Sequence, residues 1–179
     1  MDLMTKTVKG ERKTENQIVV TPRPFLDAVE KRFGPIVFDL AANTENCVSD
    51  QGRGDYYYFG PGSPLGEDSL TKNWRIARPG VRWLNPPFSD RDQPIARWVQ
   101  RCAEMRRPAS GPILLLCPAA VCTVWFRTWV APHAYVLELY PRVFGKEIRD
   151  CILAVYAPEG YLGRTTWDWE DEFAGKMPG

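Results

Sequence analysis

Arg82-Trp83-Leu84-Asn85-Pro86-Pro87-Phe88-Ser89 is the stretch from which the fold is read. Val81–Leu84 has the apolar character of a buried strand, and it stops abruptly. Proline has no N–H and cannot continue a sheet ladder, so Pro86 and Pro87 end it. Asn85 therefore falls at a strand end, with Phe88 on a stiff loop just beyond. In an open α/β sheet, ligands bind outside the carboxyl ends of the strands.

The neighbouring segments fit such a sheet. Thr21-Pro22-Arg23-Pro24 opens a helix, with Thr21 as the cap and prolines in the first turn. Phe25, Leu26, Val29 and Phe33 recur at helical spacing, and Gly34-Pro35 ends the run. Ile36–Leu40 reads as a short strand. Gln93–Met105 is a second helix, with Ile95, Trp98, Val99 and Cys102 on one face. Ile113–Cys117 is continuously apolar, as expected of a parallel strand covered on both sides. Thr123–Val130 reads as helical. Ala134–Tyr140 and Asp150–Ala157 are two further strands that pair as an antiparallel edge hairpin. Strands alternating with helices predict an α/β domain with a mostly parallel sheet. The expected organisation is a mobile arm over residues 1–16, one domain over 17–158, and an irregular acidic tail over 159–179.

Composition sets bounds on function. With 179 residues, 44% of them hydrophobic and 25% charged, the chain suits one soluble domain with a sizeable core. No apolar run reaches membrane-spanning length, and no signal-peptide pattern opens the sequence. Five scattered cysteines and one histidine, His133, offer neither a zinc site nor a disulfide scaffold, so no metal and a reducing cytoplasm are expected. The net charge is only +1, but it is unevenly spread. Arg82, Arg91, Arg97, Arg101, Arg106 and Arg107 cluster within residues 82–107. They form either a phosphate-binding sector or an ordinary solvated helix face.

The Asn-Pro-Pro-aromatic loop suits one chemistry: methylation of an exocyclic amino group. The lone pair of such an amine is delocalised into its ring, which makes it a poor nucleophile. The Asn85 side-chain oxygen and the Pro86 carbonyl can each accept one N–H, aiming the lone pair at a methyl donor. Phe88 can stack on the base. The bland alternative is a Pro-Pro turn that merely ends a strand. Asp39, at the tip of the first strand beside Ala41 and Ala42, either receives the ammonium of an amino-acid-bearing cofactor or caps the next turn. Ala41 and Ala42 would let such a cofactor approach the backbone. The long segment 43–73 contains Tyr56-Tyr57-Tyr58-Phe59, which either stacks on bases or on a cofactor's adenine, or forms a short strand with one buried side.

The ordered set Thr21-Pro22, Phe38-Asp39-Leu40-Ala41-Ala42, Asp68-Ser69-Leu70 with Trp74, and Trp83-Leu84-Asn85-Pro86-Pro87-Phe88 resembles the phage-type, Dam-like DNA adenine-N6 methyltransferases. Cys117-Pro118-Ala119, Trp125-Phe126 and Arg142-Val143-Phe144-Gly145 are similar to that family too. The resemblance runs from about Gln17 to Pro158. It implies a Rossmann-like fold that uses S-adenosylmethionine. It also implies transfer to the N6 amine of adenine in double-stranded DNA at a short specific site, with base flipping. By the same resemblance, Asn85, Pro86, Pro87 and Phe88 are catalytic. Thr21, Pro22, Asp39, Ala41, Ala42, Asp68 and Asn85 meet the cofactor, with the target as the alternative contact for Asp68. Tyr57, Tyr58, Ser89, Arg91, Arg142 and Lys146 are the candidates for touching DNA. The sequence departs from the family in having Ala41-Ala42-Asn43 where a glycine-rich loop is usual, and in lacking a separate target-recognition segment. Site selection then falls to 56–66, 88–93, 142–149 or a second subunit. The enzyme would act as a monomer or homodimer in the cytoplasm of a bacterial host, encoded by a phage or prophage. Cytosine-N4 is a competing target, as are glutamine amides in protein and adenine in RNA. A non-catalytic DNA-binding or anti-restriction module that keeps the fold is the competing class.

Overall fold

The computed structural model describes residues 20–49, 57–74, 79–88, 93–106, 111–145, 150–157 and 161–174. Their frame is a six-stranded sheet: β1 (Ile36–Asp39), β2 (Val81–Leu84), β3 (Ile113–Pro118), β4 (Tyr135–Tyr140), β5 (Cys151–Tyr156) and β6 (Gly163–Asp168). The spatial order is β1-β2-β3-β5-β4-β6. The pairs β1/β2, β2/β3 and β4/β6 are parallel, whereas β5 runs antiparallel to both of its neighbours. Five strands therefore point the same way, and their carboxyl ends share one edge of the molecule.

Side-chain alternation explains why the central strands read as unbroken apolar runs. Ile113, Leu115 and Cys117 of β3 enter one core, together with Trp98, Val99 and Cys102 of α2 (Ile95–Met105). Leu114 and Leu116 enter the other, with Phe25, Leu26 and Val29 of α1 (Arg23–Phe33). A sheet covered on both faces has no polar side to show in its pattern. Gly34, at φ 92°, ends α1 with its N–H on the Glu30 carbonyl, as the Gly34-Pro35 signal predicts.

The structure departs from the sequence reading in four places. First, the β4–β5 hairpin is not an edge. β5 is inserted between β3 and β4, and β6 takes the outer position. Second, residues 163–173, expected to be irregular, form β6 and the short helix α3 (Trp169–Phe173). Four of the six β6 residues are exposed, so the strand carries no apolar alternation to read. It is held instead by pairing along β4 from Gly163 to Asp168 and by Trp167 and Trp169, which dock on Phe25 with centroids 5.8 and 5.4 Å away. Third, Thr123–Val130 is only briefly α-helical. It widens into a π-helical turn over Phe126–Val130, where the Ala131 N–H reaches the Phe126 carbonyl at 2.9 Å. Fourth, α1 is not capped by Thr21. Pro22 occupies the cap position without a side-chain hydrogen bond.

The long segment after β1 folds back along it. Tyr58 makes a single parallel bridge to Asp39. The Asp39 N–H donates to the Tyr57 carbonyl, the Phe59 N–H to Asp39, and the Ala42 N–H to Phe59. Gly60 is required at the end of this clasp. Its φ is 139°, and a Cβ there would stand 1.8 Å from the Ala42 carbonyl oxygen. Arg82 ties the next stretch down. Its guanidinium is fully buried and donates to the carbonyls of Trp74, at 3.1 Å, and Gly111. No helix among the described residues is long and apolar enough to cross a membrane.

Candidate active site

Parallel pairing brings the two motif-bearing strand tips together. Asp39 pairs with Trp83, and the Leu40 N–H donates to the Trp83 carbonyl at 2.8 Å. Asn85 lies two residues beyond Trp83. The Asp39 carboxylate and the Asn85 amide therefore leave adjacent strands, about 5 Å apart, at the same end of the sheet. That end is where the topology of α/β sheets places ligands.

Asp39 is 3% exposed. One carboxylate oxygen accepts from the Ala41 N–H and the other from the Val48 N–H, both at 3.2 Å. The turn-capping alternative is therefore realised, and each oxygen keeps a further lone pair. Among the described residues no Lys or Arg forms an ion pair with it. Burial pushes its pKa from 3.8 up to about 7, opposed only in part by the two backbone bonds. A buried carboxylate in want of a positive charge fits a ligand that brings an ammonium group. S-adenosylmethionine is such a ligand, and Asp39 is the residue that could hold the ammonium of its amino-acid end.

Asn85 is half-buried, Pro86 buried and Pro87 exposed. The Asn85 amide nitrogen donates to the Thr21 hydroxyl at 3.0 Å. Sequence reasoning missed this contact, because 64 residues separate the two and no local pattern links them. Phe88 is half-buried and packs against side chains of both cores, so its ring rests across the end of the sheet. Tyr57 is also half-buried at this end, against the α2-side core.

Other expected site residues take different places. Tyr58 is fully buried, and its hydroxyl donates to the Pro61 carbonyl. It is a core residue in contact with Ala42 and Cys47, and DNA cannot stack on it as expected. Ala42 is 7% exposed, and its backbone carbonyl lies against Gly60 of the clasp. Asp68 is exposed and caps the Ser69–Thr71 turn through the Leu70 N–H. It also accepts from Gln93 Nε2 at 3.2 Å, which ties that turn to the loop after Phe88. The Pro22 carbonyl accepts from the N–H groups of Phe25 and Leu26 in the first turns of α1.

Three of the clustered arginines tie the backbone together. Arg82, Arg101 and Arg106 each donate to a backbone carbonyl, of Trp74, Lys72 and His133 respectively. Arg97 is exposed on α2. Arg142 follows the carboxyl end of β4, at the same end of the sheet as Asn85, and pairs with Asp150 at 2.5 Å; both side chains are at least half exposed. Ser89, Arg91, Arg107 and Lys146 lie outside the described residues, as does the arm over 1–16. An apolar groove of about 320 Å³, lined by Phe33, Pro112, Tyr135, Leu137 and Tyr161 among others, opens at the opposite end of the strands, away from Asp39 and Asn85.

Comparison with known proteins gives this geometry its context. Residues 8–137, more than half of the chain, match the family described as DNA N-6-adenine-methyltransferase (Dam). No curated protein sequence matches. Four chains of solved structure are similar. One is a protein described as a class I S-adenosylmethionine-dependent methyltransferase from Listeria monocytogenes. It is 13% identical, with 86% of this chain and 72% of that one covered and a TM-score of 0.49. The family match takes in Thr21, Asp39, Asp68 and the Asn85–Phe88 loop together. The chain belongs to the DNA N-6-adenine-methyltransferase (Dam) family, whose members methylate adenine in DNA with S-adenosylmethionine as the methyl donor.

Proposed function

We propose that the protein methylates the N6 amine of an adenine flipped out of double-stranded DNA, at a short specific sequence. The observation that carries this reading is the placement of Asn85. Its amide leaves the end of β2 beside the Asp39 tip, with its nitrogen held by Thr21. The Asn85 oxygen and the Pro86 carbonyl accept the two N–H bonds of the target amine. Those bonds draw the lone pair out of ring conjugation and point it along one line. Phe88 stacks on the base, and Tyr57 closes another side. S-adenosylmethionine, when bound, supplies an electrophilic methyl group on a sulfonium centre. The chain's own part is orientation and electrostatics, which together can supply several kcal/mol of a barrier reduction. After transfer the nitrogen carries one proton too many, and water accepts it.

Base flipping is inferred because the amine of a paired adenine is engaged inside the duplex and cannot enter a strand-end pocket. Arg142 is a candidate phosphate contact. Its pair with Asp150 is solvent-exposed, worth at most about 1 kcal/mol, and easily exchanged for a phosphate.

The test is incubation of the purified protein with S-adenosylmethionine and, separately, duplex DNA, single-stranded DNA, RNA and protein, followed by nucleoside mass spectrometry. N6-methyldeoxyadenosine in the duplex, mapping to one short motif, is the expected product. N4-methyldeoxycytidine, or label only in RNA or protein, would overturn the target assignment. A duplex with 2-aminopurine at the mapped adenine should brighten on binding; unchanged fluorescence counts against flipping.

A further inference from the structure

We propose that Thr21 is a positioning residue whose hydroxyl holds the Asn85 amide with its oxygen turned to the substrate. The proposal rests on the reading of Asn85 given above and adds a residue to it. The Asn85 amide nitrogen donates to Thr21 Oγ1 at 3.0 Å. The two ends of a primary amide point in opposite directions, so a nitrogen turned to Thr21 turns the oxygen away from α1. The opposite rotamer would present two N–H donors to an amine that brings two donors of its own. A substrate amine needs acceptors at that point.

The hydroxyl is well placed to hold this orientation. Thr21 is 6% exposed, so solvent offers little competition for the contact. It is not used as a helix cap, since Pro22 holds that position. Pro22 and Pro24 fix the backbone on either side of Arg23. Phe25, fully buried, then packs edge-on against Trp83 with centroids 6.3 Å apart. Thr21 lies four residues before Phe25, and Asn85 two residues after Trp83. Both ends of the hydrogen bond therefore hang from one aromatic contact, and Trp167 and Trp169 brace that contact from behind. The seat fixes where the hydroxyl stands, and in the contact seen its oxygen accepts from the amide nitrogen, which leaves the Asn85 oxygen to the substrate.

The test compares Thr21→Val, which keeps the branched shape and removes the hydroxyl, with Thr21→Ser, which restores it. Each is combined with Asn85 and with Asn85→Asp. Single-turnover methylation should fall about ten- to a hundredfold in Thr21→Val, the range expected of a displaced catalytic group. It should recover to within about threefold in Thr21→Ser. The dissociation constant for S-adenosylmethionine, by calorimetry, should change less than about twofold. In the Asn85→Asp background, where two equivalent oxygens leave no rotamer to choose, Thr21→Val should cost less than about twofold in rate. The side-chain NH2 signals of Asn85, identified in a nitrogen–proton correlation spectrum by their loss in Asn85→Asp, should move and exchange faster with water in Thr21→Val alone. A fully active Thr21→Val beside an inactive Asn85→Ala would overturn this proposal and leave the reading of Asn85 standing. Weakened cofactor binding with either residue at 85 would also overturn it, by assigning the hydroxyl to the cofactor. A fully active Asn85→Ala would overturn both readings at once.

Discussion

Asp39 carries the strongest electrostatic consequence at the level of single residues. Its folded pKa of about 7 lies above the unfolded value of 3.8. The folded cofactor-free protein therefore binds the proton more tightly than the unfolded chain between those values. This group stabilises the fold below about pH 4 and loses that contribution as pH rises towards 7, by about 4 kcal/mol at most. Denaturation of the cofactor-free protein at pH 5 and 7 should show a fall that Asn at position 39 reduces. Cofactor binding should run the other way. An ammonium group favours the carboxylate, so affinity should rise from pH 5.5 to 7 with release of a proton, measurable by calorimetry in buffers of different ionisation enthalpy. Pairing of Asn85 and Asp39 at one site was legible in the sequence, because each sits where an apolar run breaks. The roles of Arg82 and Tyr58 were not. An arginine without a carboxylate partner looks exposed in a sequence, yet Arg82 spends its guanidinium on two backbone carbonyls.

Among the elements, the C-terminal strand and helix matter more than their composition suggests. β6 and α3 bring Trp167 and Trp169 under Phe25, and Trp169 Nε1 donates to the Pro141 carbonyl at 2.7 Å. Lys31 and Arg32 of α1 reach Glu172 of α3. Replacing Trp169, 6% exposed, by Ala should cost about 3–5 kcal/mol by chemical denaturation. It should also lower the methylation rate under conditions where the variant is still folded, because α1 anchors the segment Thr21-Pro22 that precedes it. A Trp169→Ala protein of native stability would deny the brace. The sequence hid this element for a physical reason: an edge strand exposed along most of its length gains its order from a neighbour's backbone, and backbone pairing leaves no side-chain period. The π-helical turn at Phe126–Val130 was hidden in the same way. Its aromatic spacing fits one helical turn, and the extra residue shows only in the hydrogen bond from Ala131 to Phe126.

For the molecule as a whole, the α/β class was readable because strands covered on both faces and amphipathic helices alternate along the chain. The order of the last three strands was not, since β5 enters between two strands that precede it. That insertion leaves five strand ends on one side, and there Asp39, Asn85 and Phe88 converge, with Arg142 at the same end three strands away from β2. The central claim is that this convergence works through the Asn85 oxygen. Its most direct test is single-turnover methylation of duplex DNA by Asn85→Ala, with S-adenosylmethionine affinity measured on the same sample. The account predicts a rate lowered by a factor of about a thousand or more, with the cofactor still bound within a few fold of the unsubstituted protein; N6-methyldeoxyadenosine formed by that variant at close to the original rate would contradict it.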